Sequence, residues 1–356
     1  MFYFCNKILE MNSFQLKIKD KIQLTPKAVK LVFDIPEALT NAFSFLPGQY
    51  ITLKVNVNDE EVRRSYSICS SPDEDLAVAV KAIDNGIFSN YANSMLKVGD
   101  EVEVFTPEGT FIMDKDLTNK NYIAFVAGSG ITPLMAMIKS FLASTKTGQF
   151  VLVYANKTTE ETMFLDTLQH LQENNPNQFH LELVYSREKK EGAQFGRIER
   201  PLLNFFENNK YKSIDFNQHF LCGPEEMIEN LSSVLKENSI PDSKIKYELF
   251  FSAKEQQVEE GIDGQTKIKV IVDDEEFEFS MPQKERILDA ALAQEIDAPY
   301  SCQGGICSSC VAKVKEGEAA MAKNQILTDD EVAEGLILTC QAHPTSSSIT
   351  IDYDDV

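Results

Sequence analysis

The chain opens its regular patterning with alternation. Phe14, Leu16 and Ile18 are separated by polar residues, which predicts a strand with one buried face. More β-like runs follow at KLVFDI (30–35), YITLKVNV (50–57) and LAVAVKAI (76–83), so the N-terminal region reads as strand-rich. The rhythm then changes. NYIAFVA (121–127) is continuously apolar, as a parallel strand covered on both faces must be. GSG makes the turn into a helix over ITPLMAMIKSFLA, with Thr132 expected as its cap and Pro133 at its first position, where no N–H is needed. LVYANKTTEETMF (152–164) and LELVYSREKKEG (181–192) each read as a strand followed by a polar loop, continuing an alternating β/α pattern. SAKEQQVEEGIDG (252–264) has the composition of a linker. Beyond it, TKIKVIVDDEEFEFSM (266–281) alternates like two strands around an Asp-Asp turn. KERILDAALAQE (284–295) has helical spacing at Ile287, Leu288, Ala291 and Leu292, and ITIDY (349–353) ends as a strand.

Composition narrows the class. A length of 356 residues gives room for two or three domains, and 43% hydrophobic residues place the chain among globular proteins. The net charge of −21 argues against nucleic acid as a partner, because phosphate repels such a surface. Residues 265–356 hold 7 Lys and Arg against 18 Asp and Glu, a solvated surface that in part can steer a basic partner. No apolar run approaches the roughly 18–20 residues that span a bilayer, so no membrane segment is expected. The start, MFYFCNKILEMNSFQLKIKD, lacks the secretory pattern, and alternation begins just after Met11, a candidate initiator. The expected location is cytoplasmic.

Seven cysteines are an odd number, and four of them fall in the last 55 residues. Disulfides are improbable in such a chain, which leaves metal or redox chemistry. From Cys302 the spacing is C-x4-C-x2-C through Cys307 and Cys310, then 29 residues to Cys340. That is the ligand pattern of a plant-type 2Fe–2S cluster. Gly304 and Gly305 allow a loop tight enough to supply three thiolates, and Ser301, Ser308 and Ser309 are small enough to hydrogen-bond sulfur. Zinc ordinarily takes two C-x2-C pairs, or one pair with histidines, and the second pair is missing. His343 is the one imidazole near Cys340; His170, His180 and His219 are scattered. Strand pair, helix, cluster loop and returning strand over 265–356 resemble the β-grasp (α+β) fold of plant-type ferredoxins.

Such a cluster moves one electron at a time, so a nicotinamide donor needs a flavin between them. RSYS (64–67) offers Arg64 to a pyrophosphate, Tyr66 for stacking on an isoalloxazine and the Ser67 hydroxyl for a ring atom. The tetrapeptide is weak alone. Flanked by FLPGQYI (45–51), GIFSNYAN (86–93) and FTPEGTF (105–111), it resembles the flavin barrel of the ferredoxin–NADP⁺ reductase family. The resemblance implies that Arg64, Tyr66 and Ser67 hold the flavin, and that Gly86, Phe88 and Ser89 meet its pyrophosphate at a helix start. Ser89 is also read as an N-cap there. The PEGTF form implies FAD rather than FMN.

GSGITP (128–133) is not a complete dinucleotide fingerprint, but it is the form this family uses, which implies a nicotinamide dinucleotide at Gly128, Gly130, Thr132 and Pro133. Ser186 and Arg187, with Lys189 and Lys190 behind them, form a plausible site for the 2′-phosphate of NADPH; Glu188 fits less well. HFLCGP (219–224) resembles the family's C-G-P segment and implies that Cys222, Gly223 and Pro224 reach the nicotinamide. By the same analogy Phe250 in YELFF shields the flavin and Glu248 is the nearby carboxylate. Both also read as ordinary residues of a last strand, and Cys222 as a buried structural thiol. Cys5 and Cys69 carry no assignment.

Three domains are expected: an antiparallel FAD barrel over 1–115, an α/β parallel-sheet nicotinamide domain over 116–251, and, after a 252–264 linker, the ferredoxin domain over 265–356. Reductase first and ferredoxin last is the order of the reductases of phenylacetyl-CoA epoxygenases, which this sequence resembles most. The resemblance implies an NADPH-dependent oxidoreductase passing electrons through FAD and a 2Fe–2S cluster to a partner oxygenase, di-iron and multi-subunit, in phenylacetate degradation. A reductase for another hydroxylase or desaturase, or an electron-transfer regulatory subunit, carries the same motifs.

Overall fold

The computed structural model describes residues 13–58, 60–250, 264–300, 303–305, 307–324 and 326–356. The linker expected at 252–264 therefore lies outside the described residues except for Gly264, as do Cys5 and Cys302. The chain divides into two compact units, Met1–Phe250 and Phe251–Val356.

The first unit begins with β1 (Ser13–Thr25), β2 (Ala28–Asp34), β3 (Tyr50–Val57), β4 (Glu60–Ser67), β5 (Ala77–Lys81), α1 (Ile87–Ser94) and β6 (Glu101–Phe105). These strands form one antiparallel sheet in the order β4-β3-β6-β1-β2-β5. A bridge from Ile68, just past β4, to Val78 of β5 joins the two outer strands and closes the sheet into a barrel. Alternation works as the sequence implies: Leu16, Ile18, Leu31, Phe33, Ile51, Leu53 and Val104 point inward and make the barrel core.

The chain continues with β7 (Asn121–Ala127), α2 (Ile131–Ser144), β8 (Gln149–Asn156), α3 (Leu165–Asn174), β9 (Phe179–Tyr185), β10 (Gln194–Phe195), α4 (Arg200–Phe205), β11 (Gln218–Gly223), α5 (Glu225–Glu237) and β12 (Ile245–Leu249). All pairings are parallel, in the order β10-β9-β8-β7-β11-β12. The order reverses between β7 and β11, so the crevice beyond their carboxyl ends is where such a sheet receives a ligand. The barrel and the sheet share apolar packing: Ala28, Val32, Cys69, Ala77 and Ala79 join the cluster of Tyr122, Ala124, Leu134, Phe141 and Phe220. Phe111 meets Phe220 edge-on, centroids 5.5 Å apart, and Lys139 pairs with Glu74 at 2.8 Å.

The helix after GSG starts earlier than its sequence suggests. Gly130 is the cap residue and Ile131 the first helical residue, so Thr132 and Pro133 lie inside the first turn. Thr132 is not the cap; its hydroxyl donates to Ser129 O at 3.0 Å. GSG itself is a tight helical turn, which brings the helix start forward. Pro133 is tolerated at the third position because none of the first four N–H groups has an intrahelical partner.

The second unit contains β13 (Gln265–Val272), β14 (Glu275–Pro282), α6 (Ile287–Ala293), β15 (Val311–Glu316), β16 (Ala319–Met321), α7 (Asp329–Ala333), β17 (Leu336–Leu338), β18 (Ala342–Pro344) and β19 (Ser348–Asp352). Its main sheet runs β14-β13-β19-β15-β17, and β16 pairs separately with β18. Asp273 and Asp274 make the expected hairpin turn, both with left-handed backbone (φ 53° and 62°). Leu288 and Ala291 of α6 pack on Ile268, Val270 and Ile351, the single-helix-on-sheet arrangement of a β-grasp. Among the described residues no helix is long and apolar enough to cross a membrane.

Candidate functional site

Three distant segments meet where the barrel faces the parallel sheet. Ser67 ends β4 and is 4% exposed. Cys222 lies near the end of the fully buried β11, and its β12 partner in register is Glu248. The Ser67 hydroxyl donates to Glu248 Oε2 at 3.0 Å. Burial raises the Glu248 carboxyl to about 8 against the pull of that hydrogen bond. Glu248 keeps some exposed surface as a residue, so its carboxyl end carries the desolvation. Burial, with Glu248 adding to it, pushes the Cys222 thiol well above its ordinary range, which leaves it no thiolate for nucleophilic work. Phe250, just past β12, is partly buried against the same apolar cluster.

Beside this group β4 presents Arg64 and Tyr66 on one face, two residues apart. The Tyr66 ring lies 5.3 Å from that of Phe88, and the Arg64 guanidinium donates to its neighbour's carbonyl, Arg63 O, at 2.6 Å. The quoted flavin segments converge here: Tyr50 and Glu108 exchange backbone hydrogen bonds of 2.8 and 2.9 Å, joining FLPGQYI to FTPEGTF. α1 is capped by Gly86 and not by Ser89. Ser89 sits in the first turn and its hydroxyl faces back, accepting from Ile83 N at 3.3 Å and lying 3.4 Å from Gly86 O. A Cβ on Gly86 would strike that hydroxyl and the Ile83 side chain, so both would have to shift to admit any larger residue at the helix start. An aromatic face, a guanidinium and an open helix start suit a flavin with its pyrophosphate.

The dinucleotide candidates flank the switch point. Gly128 leaves β7 with left-handed backbone (φ 56°), and a Cβ on Gly130 would collide with the Cys222 carbonyl. Gly223 and Pro224 follow on the other side of the crevice. Asn156, at the end of β8, is 8% exposed, and its side-chain amide lies beside the Tyr154 hydroxyl without a hydrogen bond of good geometry among the described residues. Buried amides are rarely left so, and this one, at a ligand-receiving strand end, fits a polar ligand there. The sequence reading did not name it, although a polar residue closing an apolar strand is a legible signal. At the end of β9, Ser186 N and Arg187 N donate to Asn156 O and Lys157 O at 3.0 and 2.9 Å, which holds their side chains at the edge of the crevice. Glu188 is engaged elsewhere: its carboxylate accepts from Thr159 N (2.6 Å) and Thr159 Oγ1 (3.1 Å), which holds it below the usual carboxylate range. Lys190 also bonds Thr159, and Lys189 lies over the Phe195 ring.

In the second unit Cys307, Cys310 and Cys340 are 5%, 1% and 1% exposed. Thr339 ties two of them together, its N–H and hydroxyl both donating to Cys310 O at 3.0 Å, and the buried Tyr353 hydroxyl in turn donates to Thr339 Oγ1 at 2.9 Å. Among the described residues no three His, Cys, Asp or Glu side chains converge on one ion. Two irons sharing four thiolates ask for two at each iron, and Cys302 is outside the described set. Buried thiols beside the bare backbone of Gly305, left-handed at φ 71°, fit an iron–sulfur cluster. One sulfur-directed donor among the described residues is Gln341, absent from the sequence analysis, whose Nε2 is 3.8 Å from Cys340 Sγ.

This fold and these sites define a flavin- and iron–sulfur-dependent NAD(P)H oxidoreductase. Residues 15–113 match an oxidoreductase FAD-binding domain, 125–233 an oxidoreductase NAD-binding domain and 270–345 a 2Fe–2S iron–sulfur cluster binding domain. The chain belongs to the ferredoxin–NADP⁺ reductase family, in the branch with a C-terminal plant-type 2Fe–2S domain. It is 38% identical to a component of the 1,2-phenylacetyl-CoA epoxidase of Escherichia coli (strain K12), over 93% of this chain and 94% of that one. It is 33% identical to the ferredoxin reductase component of 3-ketosteroid-9-alpha-monooxygenase from Mycolicibacterium smegmatis, over 96% and 97%. Among solved structures, phthalate dioxygenase reductase shares the fold, with a TM-score of 0.64 at 23% identity, over 96% and 98% of the two chains.

Proposed function

We propose that this protein is the reductase component of a di-iron, multi-subunit oxygenase of the phenylacetyl-CoA epoxidase kind, drawing its electrons from NADPH. The domains are assigned as 1–115 for FAD, 116–251 for the nucleotide, 252–264 as linker and 265–356 for the cluster. When bound, FAD takes up the hydride's electron pair and the 2Fe–2S centre passes electrons on singly. The residues supply position and electrostatics. Arg64, Tyr66, Gly86, Phe88 and Ser89 bind and orient the flavin. Gly128, Gly130, Thr132, Pro133, Gly223 and Pro224 seat the dinucleotide, and Ser186 with Arg187 receives its 2′-phosphate, which favours NADPH over NADH. Cys222 would position the nicotinamide, and Phe250 would shield the bound flavin from solvent. Glu248, in hydrogen-bond contact with Ser67, would hold a proton without an exposed charge next to residues assigned to the flavin and the nicotinamide. Cys302, Cys307, Cys310 and Cys340 are the cluster ligands.

The observation that carries the reading is the Ser67–Glu248 hydrogen bond, with Glu248 in register with Cys222. It brings the three residues assigned to hydride chemistry from three separate segments to one place. The similarity to a phenylacetyl-CoA epoxidase component at 38% identity supports that oxygenase class, and the 33% identical ketosteroid relative favours, as a second reading, another monooxygenase. Cys307→Ser tests the relay. It should abolish NADPH-driven reduction of a one-electron acceptor protein by more than about 100-fold and leave NADPH–ferricyanide activity within about twofold. Equal loss of both activities would count against a path from flavin to cluster. Reconstitution with candidate oxygenases distinguishes the two partner readings.

A further inference from the structure

We infer that Gln341 locks the cluster loop to the fourth cysteine and tunes the cluster's reduction potential by presenting an amide N–H to the Cys340 sulfur. The inference rests on the reading that Cys302, Cys307, Cys310 and Cys340 hold a 2Fe–2S cluster. Gln341 is 3% exposed, so deep that its amide must find its partners within the protein. Its Nε2 carries two N–H groups for three acceptors, Gln303 O at 3.0 Å, next to the first ligand, Cys340 O at 2.8 Å and Cys340 Sγ at 3.8 Å, so the sulfur shares an N–H with a carbonyl in a bifurcated bond. Its backbone is fixed as well, the N–H donating to Leu338 O at 2.8 Å and the carbonyl accepting from Ala322 N at 2.9 Å. The side-chain stem fills the space over Gly305, where a Cβ would press on Gln341 Cγ.

One side chain therefore joins the turn carrying the first ligands, the segment after β16 and the last ligand. The positive end of an N–H dipole beside a ligand sulfur favours the redox state with the greater negative charge, which is the reduced one. Loss of that N–H should leave the cluster harder to reduce. A purely space-filling Gln341 would not do this, because a side chain of equal length without the donor would fill the same volume.

The test is an EPR-monitored redox titration of the full-length protein and of Q341M and Q341H. Q341M keeps the length and removes the N–H. Its reduced state should be disfavoured by up to about tenfold, which for one electron is ~59 mV more negative. Its cluster should also be lost several times faster to a chelator, with NADPH–ferricyanide activity unchanged. Q341H restores a donor and should recover at least half of the shift. A Q341M cluster with wild-type potential overturns the inference. So does failure of both variants to hold a cluster, which would show that shape and not the N–H matters. A wild-type protein lacking acid-labile sulfide would instead sink the cluster assignment itself.

Discussion

Ser67 and Glu248 are 181 positions apart in sequence, yet they share a 3.0 Å hydrogen bond across the junction of barrel and parallel sheet. The bond links the two halves of the first unit through a carboxyl that burial has shifted to about 8. On folding, that carboxyl moves up from 4.5, so between these values the folded state holds a proton that the unfolded chain has released. Stability contributed by Glu248 is full below about pH 4.5 and is lost as pH rises toward 8.

Glu248→Gln should remove this dependence. The wild type should lose stability relative to the variant across pH 4.5–8, by a few kcal/mol at most, because the residue keeps some contact with solvent. Circular-dichroism urea titrations of both proteins at several pH values measure it. NADPH–ferricyanide turnover should fall about 10–100-fold in Glu248→Gln, and the wild-type decline in rate near pH 8 should flatten. A variant with the wild-type pH profile would refute a proton role for this carboxyl.

Gly130→Ala tests the crevice. The backbone of Gly130 is ordinary helix (φ −58°), so alanine brings no conformational strain; the obstacle is the Cys222 carbonyl, a backbone atom with little freedom to yield. Overpacking of this kind costs about 1–3 kcal/mol. Separation of β7 from the end of β11 should raise the KM for NADPH at least about tenfold. The flavin absorbance spectrum should stay unchanged, since the added Cβ presses on the backbone of Cys222 and Gly223 and not on a residue assigned to the flavin. Thermal melting and steady-state kinetics on one preparation separate the two effects.

Sequence patterning carried the architecture far. NYIAFVA coincides with β7 and YITLKVNV with β3, because a fully covered strand and an alternating one leave unmistakable periodicities. Local details were less legible. Thr132 and Ser89 had the chemistry of caps, but Gly130 and Gly86 hold those places, Gly130 against the Cys222 backbone and Gly86 against the side chains of Ser89 and Ile83. Nothing local predicts that Ser67 meets Glu248, which depends on how barrel and sheet pack. Asn156 and Gln341 were passed over for a related reason. A buried amide is informative only once its partners, or their lack, are known.

The choice between NADPH and NADH turns on the residues that follow β9. Glu188 stood against a 2′-phosphate site in the sequence, since a carboxylate repels phosphate. In the folded chain it accepts two hydrogen bonds from Thr159 and serves as a loop anchor, leaving the exposed Arg187 at the mouth with Ser186 behind it. A guanidinium bonded to phosphate contributes about 1.5–3 kcal/mol, and a neutral hydroxyl about 0.5–1.5. Arg187→Ala should therefore raise the KM for NADPH by roughly 10–100-fold and Ser186→Ala by roughly 2–10-fold. Neither should alter the KM for NADH by more than about twofold, because NADH carries an uncharged 2′-hydroxyl in place of the phosphate. The wild-type KM for NADPH should rise with ionic strength because the contact is exposed, and this slope should flatten in Arg187→Ala. Parallel steady-state titrations with both nucleotides at low and high salt decide the matter. Equal loss for NADPH and NADH would move the 2′-phosphate away from Arg187 and remove the ground for preferring NADPH.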